Sequence, residues 1–121
     1  MSQLALIIED EQDLANIFAE ALNGVSFDVE HASDGKAAQE RLKAEPLPYL
    51  ILLDMHLPHV SGAELLAEMK ADDRFADTII IITTADARMG ETYRDQVDFV
   101  FIKPISFVQL RDLTARLKPQ P

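Results

Sequence analysis

Four short apolar runs in this 121-residue chain end on residues that could do chemistry. Leu4–Ile8 runs into Glu9-Asp10-Glu11, Tyr49–Leu53 into Asp54, Ile79–Ile82 into Thr83 and Thr84, and Phe99–Ile102 into Lys103 and Pro104. Any one of these polar residues, taken alone, is more often a helix cap or a solvated loop residue. Their conjunction changes the reading, because the carboxyl ends of strands in a parallel α/β sheet face one crevice, where such sheets bind ligands. Glu9, Asp10 and Asp54 gathered there would repel one another, so either their pKa values rise or a cation joins them. Hard oxygen ligands without histidine or thiolate suit Mg²⁺, or equally Mn²⁺, held by one or two carboxylates plus a phosphate. Lys103 adds a positive charge, the Thr84 hydroxyl can donate to a phosphoryl oxygen, and one carboxylate could be a nucleophile. The chemistry predicted is acceptance of a phosphoryl group.

The segments between these runs must position them. Leu14, Ile17, Phe18, Ala21 and Leu22 recur at helical spacing over residues 12–23, and Asn23-Gly24 reads as a terminator supplying the left-handed conformation. Phe27, Val29 and His31 alternate with Asp28 and Glu30, as in a partly exposed edge strand that brings no comparable functional group. Ser33-Asp34-Gly35 opens a helix ending before Pro46, and Ser61 with Glu64 forms a capping box for a helix through Leu65, Leu66 and Met69. A weakly amphipathic helix fits residues 86–95, and Ser106 with Gln109 caps a last helix carrying Leu110, Leu113 and Leu117, stopped by Pro119 and Pro121. Five strands alternating with five helices predict an α/β fold with a doubly wound, five-stranded parallel sheet and helices on both faces. Residues 1–118 form that one domain, and 119–121 read as a tail or the start of a linker.

Composition narrows the function. Eleven basic residues against 21 acidic ones leave a formal charge of -10, which repels phosphate backbones and anionic lipid, so neither direct nucleic-acid binding nor membrane association is expected. The absence of cysteine excludes disulfides, zinc-thiolate sites and cysteine nucleophiles, and suits a reducing compartment. The apolar run Thr78–Thr84 is too short to span a bilayer and Met1-Ser2-Gln3 lacks a basic signal start, so the predicted location is cytoplasmic. His56 and His59 straddle Pro58 in a loop and are expected to face solvent instead of pairing on a metal. Glu11 is expected to be peripheral, and the acid-rich first segment fails as a calcium loop because oxygen ligands do not follow at alternating positions.

In order and spacing, Leu6-Ile-Ile-Glu-Asp-Glu11, Leu53-Asp-Met-His-Leu-Pro58 with Ser61-Gly62, Ile82-Thr-Thr-Ala85 and Phe101-Ile-Lys-Pro104 resemble the receiver domain of two-component response regulators. The resemblance covers essentially the whole chain and implies the chemotaxis-type, flavodoxin-like strand order 2-1-3-4-5. It implies that Asp54 accepts a phosphoryl group from a histidine kinase or a histidine phosphotransfer protein. Asp10 would bind Mg²⁺ directly, Glu9 directly or through water, and the His56 backbone carbonyl would be a further ligand. Thr84 would close on the phosphoryl oxygens, Ala85 would leave them room, Lys103 would pair with Asp54 or its phosphate, and Lys103–Pro104 would be cis. His56 and Asp86, two residues beyond Asp54 and Thr84, would flank the hydrolytic water and set phosphoryl lifetime.

One position departs from the family pattern. Members often carry Tyr or Phe three residues before the lysine as a rotamer switch, and here Val100 stands there, with Phe99 and Phe101 on the opposite strand face. Readout to an output protein or domain is therefore expected as backbone displacement on the face of the fourth helix, fifth strand and fifth helix. The chain reads as a signalling switch, with catalysis confined to its own phosphotransfer and autodephosphorylation. An aspartyl-phosphate hydrolase on a related sheet is the alternative, but it needs a second acid where this chain has His56. A passive receiver scaffold is the other, and the full set of Asp54, Asp10, Thr84 and Lys103 argues against it.

Overall fold

The computed structural model describes residues 3–119, so expectations placed on residues 1, 2, 120 and 121 fall outside it. Strands β1 (Gln3–Ile8), β2 (Phe27–Ala32), β3 (Leu50–Asp54), β4 (Ile79–Thr84) and β5 (Phe99–Ile102) alternate with helices α1 (Gln12–Asn23), α2 (Gly35–Leu42), α3 (Gly62–Lys70), α4 (Ala87–Tyr93) and α5 (Phe107–Leu117). The strands pair in parallel in the order β2-β1-β3-β4-β5, as expected.

Side-chain alternation along the strands splits the core between the two faces. Ala5, Ile7, Leu50, Leu52 and Ile81 pack against Ala15, Phe18, Ala21 and Leu22 of α1 and Leu110 of α5. Leu6, Ile8, Ile51, Leu53, Ile80 and Ile82 pack against α2 and α3, with Met89, Tyr93 and Val100 at the margin. Burial on both faces is why β1 and β3 read as continuous apolar runs. Along edge strand β2, Phe27 and Val29 line the α1 side while Asp28, Glu30 and His31 are exposed and only Ala32 joins the opposite core, which is why its sequence alternates.

Caps fix where several helices begin. Ser61 Oγ accepts from the Glu64 N–H at 3.1 Å, Asp34 Oδ1 from Ala37 N–H at 2.7 Å and Ser106 Oγ from Gln109 N–H at 3.2 Å. Gly62 has a different reason to be glycine: a Cβ there would sit 2.5 Å from the Asp54 carbonyl oxygen and 2.6 Å from Met55 Cα. The start of α3 thus rests directly on the backbone that carries Asp54.

Three details differ from the sequence reading. Gly24 is right-handed (φ -62), and the left-handed residue is Ser26 (φ 71), because a turn closed by Val25 and Ser26 N–H groups on the Leu22 and Asn23 carbonyls extends α1 past the glycine. Helix α4 stops at Tyr93 and tightens into a 3₁₀ turn, Arg94–Gln96, before Asp98 N–H returns to the Ile80 carbonyl at 2.9 Å to open β5. A further 3₁₀ turn, Asp73–Phe75, was not legible in the sequence. Lys103–Pro104 is cis, as is Glu45–Pro46.

Candidate functional site

Register brings the functional groups together. Ile8 pairs with Leu53, so Glu9 and Asp54 are the next residues of adjacent strands, and Asp54 in turn pairs with Thr83 of β4. Glu9, Asp54 and Lys103 continue the strand positions that face α1 and α5, which points all three side chains the same way. One carboxylate oxygen each from Glu9, Asp10 and Asp54 lies within 4.8 Å of the others. Lys103 Nζ lies 3.0 Å from Glu9 Oε1 and 3.6 Å from Asp54 Oδ2. These groups border a crevice of about 370 Å³ lined by Asp10, Glu11, Asp54, His56, Ala85 and Lys103.

The electrostatics follow from burial. Glu9 is 1% and Asp54 2% exposed, whereas Asp10 is open to solvent. Desolvation raises the pKa of both buried carboxyls, and the Asp54 charge adds to the rise at Glu9. Backbone N–H groups oppose it: Glu11 N–H donates to Glu9 Oε2 at 3.2 Å and His56 N–H to Asp54 Oδ1 at 3.0 Å. Burial works to lower the Lys103 pKa, but its hydrogen bond to Glu9 and the charges of Asp54, Glu9 and Glu11 prevail and raise it. Three carboxylates facing one ammonium leave an excess of negative charge with oxygen donors only, which suits a small divalent cation and a phosphoryl group beside it.

The pattern of the response regulator receiver domain matches residues 5–115. The chain belongs to the receiver domain family of response regulators. It is 34% identical to response regulator ArlR of Staphylococcus saprophyticus over 96% of the chain, and 27% identical to sporulation initiation phosphotransferase F of Bacillus subtilis over 98%. It spans 53% of the length of ArlR and 96% of phosphotransferase F. The chemotaxis response regulator CheY4 of Vibrio cholerae shares the fold, with a TM-score of 0.86 over 98% of this chain and all of that one, at 17% identity.

In this receiver domain Thr84 lies apart from the charged crevice. It continues the positions facing α4 and is fully buried, and its Oγ1 accepts from Asp86 N–H at 3.0 Å. His56 was expected to face solvent and to flank the hydrolytic water. Its ring is exposed, yet Nε2 lies 3.2 Å from Thr84 Oγ1, so the imidazole bridges the crevice to the threonine. Asp86 was expected beside the hydrolytic water. Its carboxylate caps α4, with Oδ1 accepting from Arg88 N–H at 2.9 Å and Met89 N–H at 3.4 Å and no hydrogen bond to Oδ2 found among the described residues. Val100 is half-buried against the α4 side while Phe101 packs on the opposite core, as strand alternation requires. A Cβ on Gly90 of α4 would meet Val100 Cγ1 at 3.0 Å and Ile102 Cδ1 at 3.1 Å, so the helix seats closely on the position where an aromatic ring was missed.

Two contacts escaped the sequence reading. Lys103 was expected on Asp54, but its shorter bond is to Glu9, which shared strand parity could have indicated. Strand β2 was expected to bring nothing to the site, yet His31 Nε2 lies 2.7 Å from the Glu9 carbonyl oxygen.

Proposed function

We propose that this receiver domain is a phosphorylation-driven switch whose acceptor is Asp54. A phosphohistidine on a kinase or phosphotransfer protein is the donor: an Asp54 carboxylate oxygen bonds to phosphorus, the P–N bond breaks, and its electron pair leaves with the donor imidazole. The observation that carries this reading is the Asp54 carboxylate, buried at the end of the central strand with Lys103 at 3.6 Å and the carboxylates of Glu9 and Asp10 beside it. Asp10, Asp54, the His56 backbone carbonyl and, directly or through water, Glu9 would hold Mg²⁺ or Mn²⁺, which supplies positive charge to the carboxylates and phosphoryl oxygens. Lys103 offers a second cation to the new phosphate, and exposed Ala85 leaves space for it. Thr84 would exchange its Asp86 partner for a phosphoryl oxygen, a charge-assisted bond. His56, over that hydroxyl, shields the acyl phosphate from water and so lengthens its life.

The output face would be α4, β5 and α5, where Ile102, Phe107 and Val108 are exposed apolar residues ready for a protein partner. The activity is signalling, with no external substrate turned over. No helix among the described residues is long and apolar enough to cross a membrane, and the cysteine-free composition suits the cytoplasm. Intact-mass measurement after incubation with acetyl phosphate and Mg²⁺ tests the reading. One added phosphoryl group is expected on the native protein and none on Asp54→Asn; equal labelling of that variant would reject Asp54 as the acceptor.

A further inference from the structure

Asp10 presents a positional problem. Its carboxylate is exposed, and no hydrogen bond or ion pair to it is found among the described residues, in contrast to Glu9 and Asp54. Its direction is therefore set by its backbone, and above all by the peptide plane that joins it to Glu9. That plane lies where the β1–β2 ladder runs out. Glu9 N–H still donates to the Ala32 carbonyl at 3.1 Å, but β2 ends at Ala32 and the chain turns away toward the Asp34 cap. The Glu9 carbonyl would be left without a strand partner, and His31 supplies one, with Nε2 at 2.7 Å. A carbonyl oxygen only accepts, so Nε2 carries the hydrogen.

We propose that His31 is a positioning residue for the divalent-cation site, acting through the Glu9–Asp10 peptide. A peptide group is rigid, so pinning its oxygen fixes the Glu9 ψ and Asp10 φ angles and with them the direction in which the Asp10 side chain leaves the backbone. His31 touches neither the cation nor the phosphoryl group. Its contribution is to remove backbone freedom that Asp10 would otherwise lose on binding the metal, and groups that orient metal ligands in this way commonly matter to affinity. The inference rests on the reading of Asp10 as a cation ligand.

The test compares native protein with His31→Phe, His31→Gln and Asp10→Ala by Mg²⁺ calorimetry and by amide NMR of the metal-free proteins. Phenylalanine keeps the ring and suits a strand but cannot donate, while glutamine can place an N–H near the lost Nε2. His31→Phe is expected to weaken Mg²⁺ binding about three- to tenfold, at or below the low end for such orienting residues. It should also shift the Asp10 amide nitrogen in metal-free protein, with His31→Gln restoring most of both. His31→Thr, too short to reach the carbonyl, takes the place of His31→Phe if that variant does not fold. Native affinity in the donor-free variants would overturn the role of His31, as would a glutamine variant as weak as phenylalanine. If Asp10→Ala weakens binding while His31→Phe does not, only the positioning role falls; if Asp10→Ala also leaves Mg²⁺ binding unchanged, the ligand reading falls with it.

Discussion

Replacing Asp54 by asparagine should stabilise the metal-free protein and destabilise the protein in Mg²⁺ relative to wild type. The substitution keeps the shape and an oxygen for the His56 N–H while removing the charge. Asp54 lies within 4.8 Å of the Glu9 carboxylate, a repulsion of at least about 3.5 kcal/mol at an effective dielectric of about 20. Its 3.6 Å contact with Lys103 returns about 4.6 kcal/mol on the same scale. The two are opposed and of similar order, and to them are added the desolvation of a carboxylate that is 2% exposed and a solvent-screened repulsion from Asp10. A net gain of about 1–2 kcal/mol is expected for Asp54→Asn in chelator, or a melting temperature higher by about 3–8 °C for a domain of this size. The sign with pH is fixed by linkage. Because the folded pKa values of Glu9 and Asp54 are raised, the native state binds more protons than the unfolded chain, so the contribution of this pair is greatest in acid and is lost as pH rises through those values. The advantage of the variant should therefore widen from mildly acidic to neutral pH, as the wild-type carboxylates lose their protons. Saturating Mg²⁺ adds about 2.7 kcal/mol to wild type at 100 times its dissociation constant and less to the variant, which inverts the order. Urea unfolding at both pH values, with chelator and with Mg²⁺, reads all of this. A variant less stable than wild type in chelator near neutral pH would refute the reasoning.

Three further outcomes follow from single contacts. Gly62→Ala should lose about 3 kcal/mol or more, since its Cβ would fall 2.5 Å from the Asp54 carbonyl oxygen and backbone must move; chemical denaturation checks it, and a loss under about 1 kcal/mol would count against that close seat. His56→Ala should speed decay of the phosphorylated protein several-fold, a barrier change of about 1 kcal/mol, and decay curves matching wild type at saturating Mg²⁺ would remove the shielding role. Gly90→Ala meets only side-chain ends at 3.0 and 3.1 Å, so about 1 kcal/mol or less should be lost; amide shifts confined to α4 and β5, with crevice resonances unmoved, are the expected signature.

What the sequence carried and what it withheld divide along a physical line. Leu4–Ile8 and Tyr49–Leu53 announced doubly covered strands because burial on both faces leaves no alternation, and the acids that follow them were placed by strand ends alone. Asp34, Ser61 and Ser106 announced helix starts because capping is local chemistry. The 3₁₀ turns and the left-handed Ser26 were not legible, since they depend on how the chain returns to a sheet whose register is a tertiary fact. The same holds at the site. Glu9 and Lys103 are separated by most of the chain, and their pairing follows from the parity of β1 and β5 about β3. The His31 contact could have been anticipated only by aligning β2 against β1, where His31 pairs with Ile7, two residues before Glu9.

That parity also decides how a charge on Asp54 can reach the output face. Glu9, Asp54 and Lys103 lie on the α1 and α5 side of the sheet, whereas Thr84 and Val100 lie on the α4 side. No aromatic ring at Val100 can swing to report the change, so on the proposed reading Thr84 would carry it. Its hydroxyl accepts the Asp86 N–H at the entrance to α4, and drawing that hydroxyl toward a phosphoryl oxygen leaves the N–H without its acceptor. Helix α4 has only seven residues, held by the Asp86 cap at one end and the Gly90 seat on Val100 and Ile102. A helix this short owes its stability to such contacts, not to its own hydrogen bonds. On the proposed phosphorylation of Asp54, loss of that one partner at its first turn would be enough to shift or fray α4, and the change would reach β5 through the seat of Gly90 on Val100 and Ile102.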